Sequence, residues 1–389
     1  MKKEAWEQRK LSTDIKLIGG ATPFKDNPDY WNGDIVWLSS QEIKGKYVSK
    51  GTYTITNKAV DDNTTKVVKA GTPLIVTRSG ILARMFPISI PTIDVAINQD
   101  IKALIYNHEA IDTDFIFAEL QKNENFILKS IVKTGTTVQS VNLPDFLKFK
   151  VSYASINEQH RIGTFFKLID NLLALHQRKL ELLQQTKKGF LQRIFPQQGE
   201  SHPQLRFKEF SEPWERRKLS DVARITMGQS PNSENYTEDS NNKILVQGNA
   251  DMKNGRVVPR VWTTQITKEA DKGDIILSVR APVGDVGKTD YDVVLGRGVA
   301  ALKGNEFIFQ LLGKAKSDGF WSKLSTGSTF DSINSNDIKN SEFMIPSSTE
   351  EQQQIAAFFK QLDDTFTLHK KKIKHLKKLK KAYMHKMFI

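Results

Sequence analysis

No cysteine occurs among the 389 residues. That absence excludes disulfides, thiolate metal sites and cysteine nucleophiles, and it points to a reducing, cytoplasmic setting. No apolar run approaches the ~18 residues of a membrane span. The first residues, MKKEAWEQRK, lack the apolar stretch of a signal peptide, so a soluble protein is expected. The seven histidines (His108, His160, His176, His202, His369, His375 and His385) form no His-Glu-x-x-His pair or other metal-ligand spacing. A phosphate-binding loop is also missing. Gly287-Lys288-Thr289 has the end of one, but Pro282 stands where the earlier glycine is required. Asp29, Glu42 and Lys44 fit a loose two-carboxylate nuclease pattern, which arises easily when 26% of residues are charged. The pattern has no counterpart in the second half of the chain. Catalysis has no candidate residues.

What is present is a repeat. Trp6-Glu-Gln-Arg-Lys-Leu11 recurs as Trp214-Glu-Arg-Arg-Lys-Leu219, and Thr134-Gly-Thr-Thr137 as Thr326-Gly-Ser-Thr329. A constant offset of 193 relates Glu158-Gln159 to Glu351-Gln352, Asp170 to Asp363, His176 to His369, Lys187 to Lys380 and Phe195 to Phe388. The chain is therefore one unit written twice, each copy a mixed region followed by a long helix.

The helices show in the spacing. Ile162, Phe166, Ile169, Leu173, His176, Leu180 and Leu183 alternate steps of four and three, as do Ile355, Phe359, Leu362, Phe366, His369, Ile373 and Leu376. This 3.5-residue period is that of a coiled-coil seam. His176 and His369 lie in it and read as hydrogen-bonded packing residues. Each helix should run about 37 residues, roughly 55 Å, and an antiparallel pair would place the globular units at opposite ends of a rod. Segments 1–157 and 214–350 carry short β-type runs, Asp34–Leu38, Thr72–Thr77 and Asp274–Val279, with short helices over Asp112–Asn123 and Asn305–Lys316. The expected fold class is α+β: two sheet-dominated domains joined by two long antiparallel coiled-coil helices, 158–195 and 351–389, with a pseudo-twofold internal repeat. The polar, Pro-bounded stretch 196–213 reads as a linker.

Several short motifs resemble the specificity (S) subunit of type I restriction-modification systems. In the first copy these are Gly20-Ala-Thr-Pro23, Tyr30-Trp-Asn-Gly33, Val36-Trp-Leu-Ser39, Gly71–Gly80 and Ala96-Ile-Asn-Gln99. In the second they are Met227-Gly-Gln-Ser-Pro231, Gly273–Pro282 and Thr326-Gly-Ser-Thr-Phe330. Both Glu-Gln-x-x-Ile…Phe-Phe-Lys helix entries belong to the pattern, and the likeness covers the whole chain. It implies two target recognition domains, each reading half of a split, asymmetric sequence in double-stranded DNA, with the helices as a ruler between them. It also implies no catalysis and no cofactor on this chain. Two modification subunits would bring S-adenosylmethionine for adenine methylation, and two restriction subunits would use ATP and Mg to translocate and cut.

Base reading needs Arg, Lys, Asn, Gln, Ser or Thr at groove edges. In the first domain this points to Ser39, Ser40, Gln41, Lys44, Arg78, Ser79, Arg84, Thr136 and Thr137; in the second, to Gln247, Asn249, Lys253, Arg256, Arg280, Ser328 and Thr329. Trp31, Trp37, Trp262 and Trp321 read as core. The net charge of +13 is uneven: 1–157 carries +3, 158–195 carries +4, 196–350 carries −1 and 351–389 carries +7. Basicity thus sits on the helices, with a Lys-rich face from Lys370 to Lys386. Two competing readings are a non-catalytic helical adaptor that binds an acidic protein without base reading, and a single-chain DNA methyltransferase. The missing cofactor loop disfavours the second.

Overall fold

The computed structural model describes residues 6–62, 64–135, 138–324 and 331–388. Packing divides the chain into residues 1–178 with 370–389, and residues 179–369. Each unit holds one globular region and the ends of both long helices. The helices span Ile156–Ile194 and Thr349–Met387, 39 residues each. Both begin two residues earlier than the Glu-Gln motifs suggest. At the second start, Ser348 Oγ accepts the Glu351 amide at 3.2 Å, satisfying an N–H that the first turn leaves free.

The 3.5-residue seam is the packed face. Ile162, Phe166, Ile169, Leu180, Ile355 and Phe359 are buried. Leu173, Leu183, Leu362, Phe366, Ile373 and Leu376 are half-buried, as are His176 and His369. The helices pair antiparallel within each unit. In the first, Phe165 meets Tyr383 edge-on at 5.2 Å, and Lys380 reaches Asp170. In the second, Phe190 meets Phe358 at 4.9 Å, and Lys187 bonds both oxygens of Asp363 at 2.6 and 2.8 Å.

The globular part of the first unit has two sheets. The five-stranded one runs Lys16–Gly19, Ile101–Ile105, Leu74–Val76, Ile88–Pro91, Tyr47–Val48; the four-stranded one runs Tyr53–Ile55, Trp31–Leu38, Val95–Ile97, Val67–Val68. Leu74, Ile75 and Val76 are fully buried, as a central strand covered on both faces must be. The second unit repeats the plan. A six-stranded sheet runs from Arg224–Met227 through Val299–Lys303, Ile275–Ser278, Val286–Lys288 and Arg256–Val257 to Met252–Lys253. A five-stranded sheet contains Lys243–Val246 parallel to Val293–Leu295, as Trp31–Leu38 is parallel to Val95–Ile97 in the first unit. Short helices Thr113–Lys122 and Glu306–Ser317 are capped by Asp112 and Asn305, whose side chains accept the amides three residues on.

Each core closes on a helix end. Phe388 packs on Trp6, Phe115 and Phe166 with centroids 5.2–6.1 Å apart. Phe195 packs likewise on Trp214, Phe307 and Phe359, at 5.4–6.1 Å. Trp37 and Trp321 are buried, whereas Trp31 and Trp262 are only half-buried.

The stretch 196–213 is more than a linker. Leu205 and Phe207 pack on the second core. Arg206 holds the buried Glu351 carboxylate by two bonds of 2.7 and 2.8 Å, while the Trp214 indole donates to it at 3.2 Å. Polar composition hid an anchor, because its partner lies 145 residues away. Arg206→Ala would leave a desolvated carboxylate unpaired and should cost about 3–5 kcal/mol in chemical denaturation of the second unit. A loss below about 1 kcal/mol would remove the pair from the account.

Glu119 is the converse case. It is 3% exposed, and its Oε2 has no hydrogen-bond partner among the described residues. Burial pushes its carboxyl up to about 7. At the matching helix position the second copy has the fully buried Leu312. The folded state therefore holds a proton that the unfolded chain releases above its ordinary value of 4.5, so stability should fall as pH rises from about 4.5 to 7 and level off above. Glu119→Gln should abolish that slope and stabilise the chain at pH 8 by roughly 2–3 kcal/mol, measured by denaturation across pH.

Candidate nucleic-acid interface

In each unit several strands end side by side, and their outgoing loops make one surface. In the first unit the loops follow Lys16–Gly19, Trp31–Leu38, Leu74–Val76 and Val95–Ile97. Backbone bonds tie them: Asn98 N–H to Leu38 O at 2.9 Å, Thr77 N–H to Asp100 O at 2.7 Å and Val141 N–H to Thr77 O at 2.8 Å. In the second unit Gly296 N–H donates to Val246 O, Val279 N–H to Gly298 O and Ile333 N–H to Val279 O, at 2.7–2.9 Å. The loops approach too closely for side chains at two points. A Cβ on Gly20 would overlap the Ile97 carbonyl oxygen, and one on Gly298 would overlap that of Gln247.

A carboxylate organises the central loop of each cluster. Glu42 accepts the Ser39 amide at 2.8 Å, the Ser39 hydroxyl at 2.7 Å and the Thr52 hydroxyl at 2.8 Å. Burial alone would raise its carboxyl, but the bonds from Ser39 and Thr52 outweigh that and hold it below its ordinary value. Asp251, 2% exposed, accepts the amides of Gln247 and Gly248 at 2.8 and 3.3 Å and the Arg260 Nε at 2.9 Å.

The cluster gathers many of the residues singled out for base reading. Ser39, Ser40 and Gln41 lie on the loop braced by Glu42, and Gln247 and Asn249 on that braced by Asp251. Arg78 and Arg280 occupy matching places, each forming an isolated bridge, to Ser140 and Ser332. Ser79 caps the turn Gly80–Ala83, so its hydroxyl is partly committed to the backbone. Arg84 is exposed just beyond that turn. Lys44 and Lys253 are exposed. Arg256 is paired with Asp290 at 2.9 Å, a bond that any other contact must replace. Thr136, Thr137, Ser328 and Thr329 lie outside the described residues. Sequence reasoning missed Arg260, because the carboxylate that orients it is identifiable only once the loop is folded. Among the described residues, no group of three or more His, Asp or Glu is placed to hold a metal, and no helix is long and apolar enough to cross a membrane.

Two segments, residues 3–185 and 211–378, match the model of the type I restriction modification DNA specificity domain, and the chain belongs to that family. It is 30% identical over 276 residues to a putative type I restriction enzyme MjaX specificity subunit of Methanocaldococcus jannaschii, covering 68% of this chain and 64% of that one. With the EcoR124I/EcoR124II specificity subunit of Escherichia coli it shares 34% over 158 residues, 40% of this chain and 39% of the relative. The chain thus spans less than two-thirds of the length of either relative. A crystal structure of a type I restriction-modification S subunit from M. genitalium superposes with a TM-score of 0.69 at 15% identity, over 100% of this chain and 97% of the other. A chain from a structure of type I R-M complex assembly gives 0.55 at 20% identity, over 100% and 99%. At such identities the superpositions establish the shared fold.

The braced loops are open to test. Asp251→Ala should orphan two amides at about 1–3 kcal/mol each, raising hydrogen exchange at Gln247 and Gly248 roughly 10- to 100-fold and leaving Ser39 unchanged. Glu42→Ala should do the reverse. Unaltered exchange at these amides would show that the carboxylates do not hold the loops.

Proposed function

We propose that this chain is the DNA-reading subunit of a type I restriction-modification complex. It recognises a bipartite, asymmetric target and directs methylation and cleavage carried out by partner subunits. The observation behind this is the duplication itself. One frame of braced strand-end loops occurs twice, with different exposed side chains on each copy. A scaffold that keeps its backbone and changes its surface groups suits two different half-sites. In this reading 1–157 and 214–350 are the target recognition domains, and the helices set the gap between half-sites. On one face of the duplex such a gap is about one helical turn, ~34 Å. The exposed polar residues of the two loop clusters make the base contacts.

The partners in this reading are two modification subunits using S-adenosylmethionine and two restriction subunits using ATP and Mg. The recognition domains are nearly neutral, at +3 for 1–157 and 0 for 214–350, whereas 351–389 carries +7. Bulk charge therefore gives the domains little grip on phosphates, and much of the salt-dependent affinity falls to the helices and modification subunits. The adaptor reading finds no support in the family membership.

The test is adenine methylation of random-sequence DNA by this chain alone and with its modification subunit. Bipartite, sequence-specific methylation is expected only from the mixture. Methylation by the chain alone would overturn the non-catalytic assignment, and methylation without sequence preference by the mixture would overturn base reading.

A further inference from the structure

The two loop clusters can be compared position by position, because they share a backbone plan. In the first, the strand Val95–Ile97 leads into Asn98-Gln99-Asp100; in the second, Val293–Leu295 leads into Gly296-Arg297-Gly298. Asn98 N–H and Gly296 N–H bond the last carbonyl of the neighbouring parallel strand, Leu38 O and Val246 O, at 2.9 and 2.7 Å. Each following residue, Gln99 or Arg297, is exposed directly after a buried one. Each tip is also fixed by a hydroxyl on the loop after the first sheet strand. Thr22 Oγ1 donates to Gln99 Oε1 at 2.8 Å, and Arg297 N–H donates to Ser230 Oγ at 3.1 Å. Gln99 and Arg297 are therefore structural equivalents of different chemistry.

We propose that Gln99 and Arg297 each read one base pair, in the first and second half of the target respectively. This rests on the DNA-reading function proposed above. Arg256 and Arg260 are spent on Asp290 and Asp251, whereas the Arg297 guanidinium makes no hydrogen bond or ion pair among the described residues and keeps its donor fork for a ligand. A guanidinium fork matches the O6 and N7 acceptors of guanine, and a carboxamide matches the N6 and N7 edge of adenine. The Thr22 hydroxyl occupies one lone pair of Gln99 Oε1, which orients the amide; among the described residues nothing else bonds its second lone pair or its N–H donors. Backbone bonds to the neighbouring parallel strand hold each tip at the same place, so the two exposed side chains present different chemistry from matching positions. The assignment is thus adenine for Gln99 and guanine for Arg297.

The experiment uses the full chain co-expressed with its modification subunits on a randomised plasmid library, with methylated motifs read by sequencing. Arg297→Gln should shift one base pair of one half-site from guanine towards adenine, changing relative methylation there roughly 5- to 100-fold. The other half-site and the spacer should stay as they were. Gln99→Arg should make the reciprocal change in the other half, which tests the idea independently if one variant folds poorly. Arg297→Lys should retain guanine preference in weakened form. Identical motifs from all variants would overturn the assignment. So would a uniform loss across sequences with a salt slope reduced by about one, because that marks a phosphate contact. Failure of the unaltered complex to yield any bipartite motif would overturn the recognition function itself.

Discussion

Two lysine ammonium groups, each bonded to an aspartate on the other long helix, constrain everything built on those helices. Lys380 and Asp170 are each 13% exposed at the side chain, and burial pulls the Lys380 ammonium below its ordinary value despite its partner. A desolvated charge without a partner costs several kcal/mol. Sliding one helix past the other would separate the buried Lys380 from Asp170 and break the more exposed Lys187–Asp363 pair, so a seam of interchangeable apolar residues acquires one register. Each pair also continues inward. Asp170 accepts Lys46 at 3.4 Å, and Lys46 reaches Asp114 at 2.9 Å. Asp363 accepts the Gln310 amide at 2.9 Å, Gln310 binds Glu306, and Glu306 pairs with Lys288 on a sheet strand. The globular regions are thereby keyed to the helices through different residues in the two copies, although the helix pairs themselves are conserved in the duplication.

The molecule divides its labour by depth. Apolar contacts and buried ion pairs set the frame, whereas carboxylates such as Glu42 and Asp251 stiffen loops whose outward side chains make no contribution to the core. A rigid loop loses little conformational freedom on binding. That suits the DNA-reading role proposed for this surface, on domains that carry little net charge.

Much of this was legible in the primary structure. The duplication and the helices were, because a heptad period and a constant offset are local, repeating signals. Buried strands such as Leu74–Val76 announced themselves as apolar runs bounded by turn residues. The partners of Arg206 and Arg260 were not legible. Arg206 finds Glu351 across 145 residues, and nothing in its polar neighbourhood marks it as an anchor. Arg260 lies only nine residues from Asp251, but the carboxylate first has to be turned inward by the Gln247 and Gly248 amides. The equivalence of Gln99 and Arg297 is likewise invisible in the alignment offset. The repeat keeps its spacing along the helices and loses it in the globular regions, where insertions are absorbed by loops.

Phe388 sits in the first core, against Trp6 and Phe166, and this bears on the order of events during synthesis. Domains ordinarily fold from the N-terminus as they emerge. Here the first globular region to leave the ribosome lacks the aromatic ring and helix end that close its core, and these arrive only after the second globular region has been made. The second core is complete by comparison once residue 369 has been made. The globular region that is made first is therefore finished after the second, and its exposed apolar seam must be tolerated while the whole of the second is synthesised.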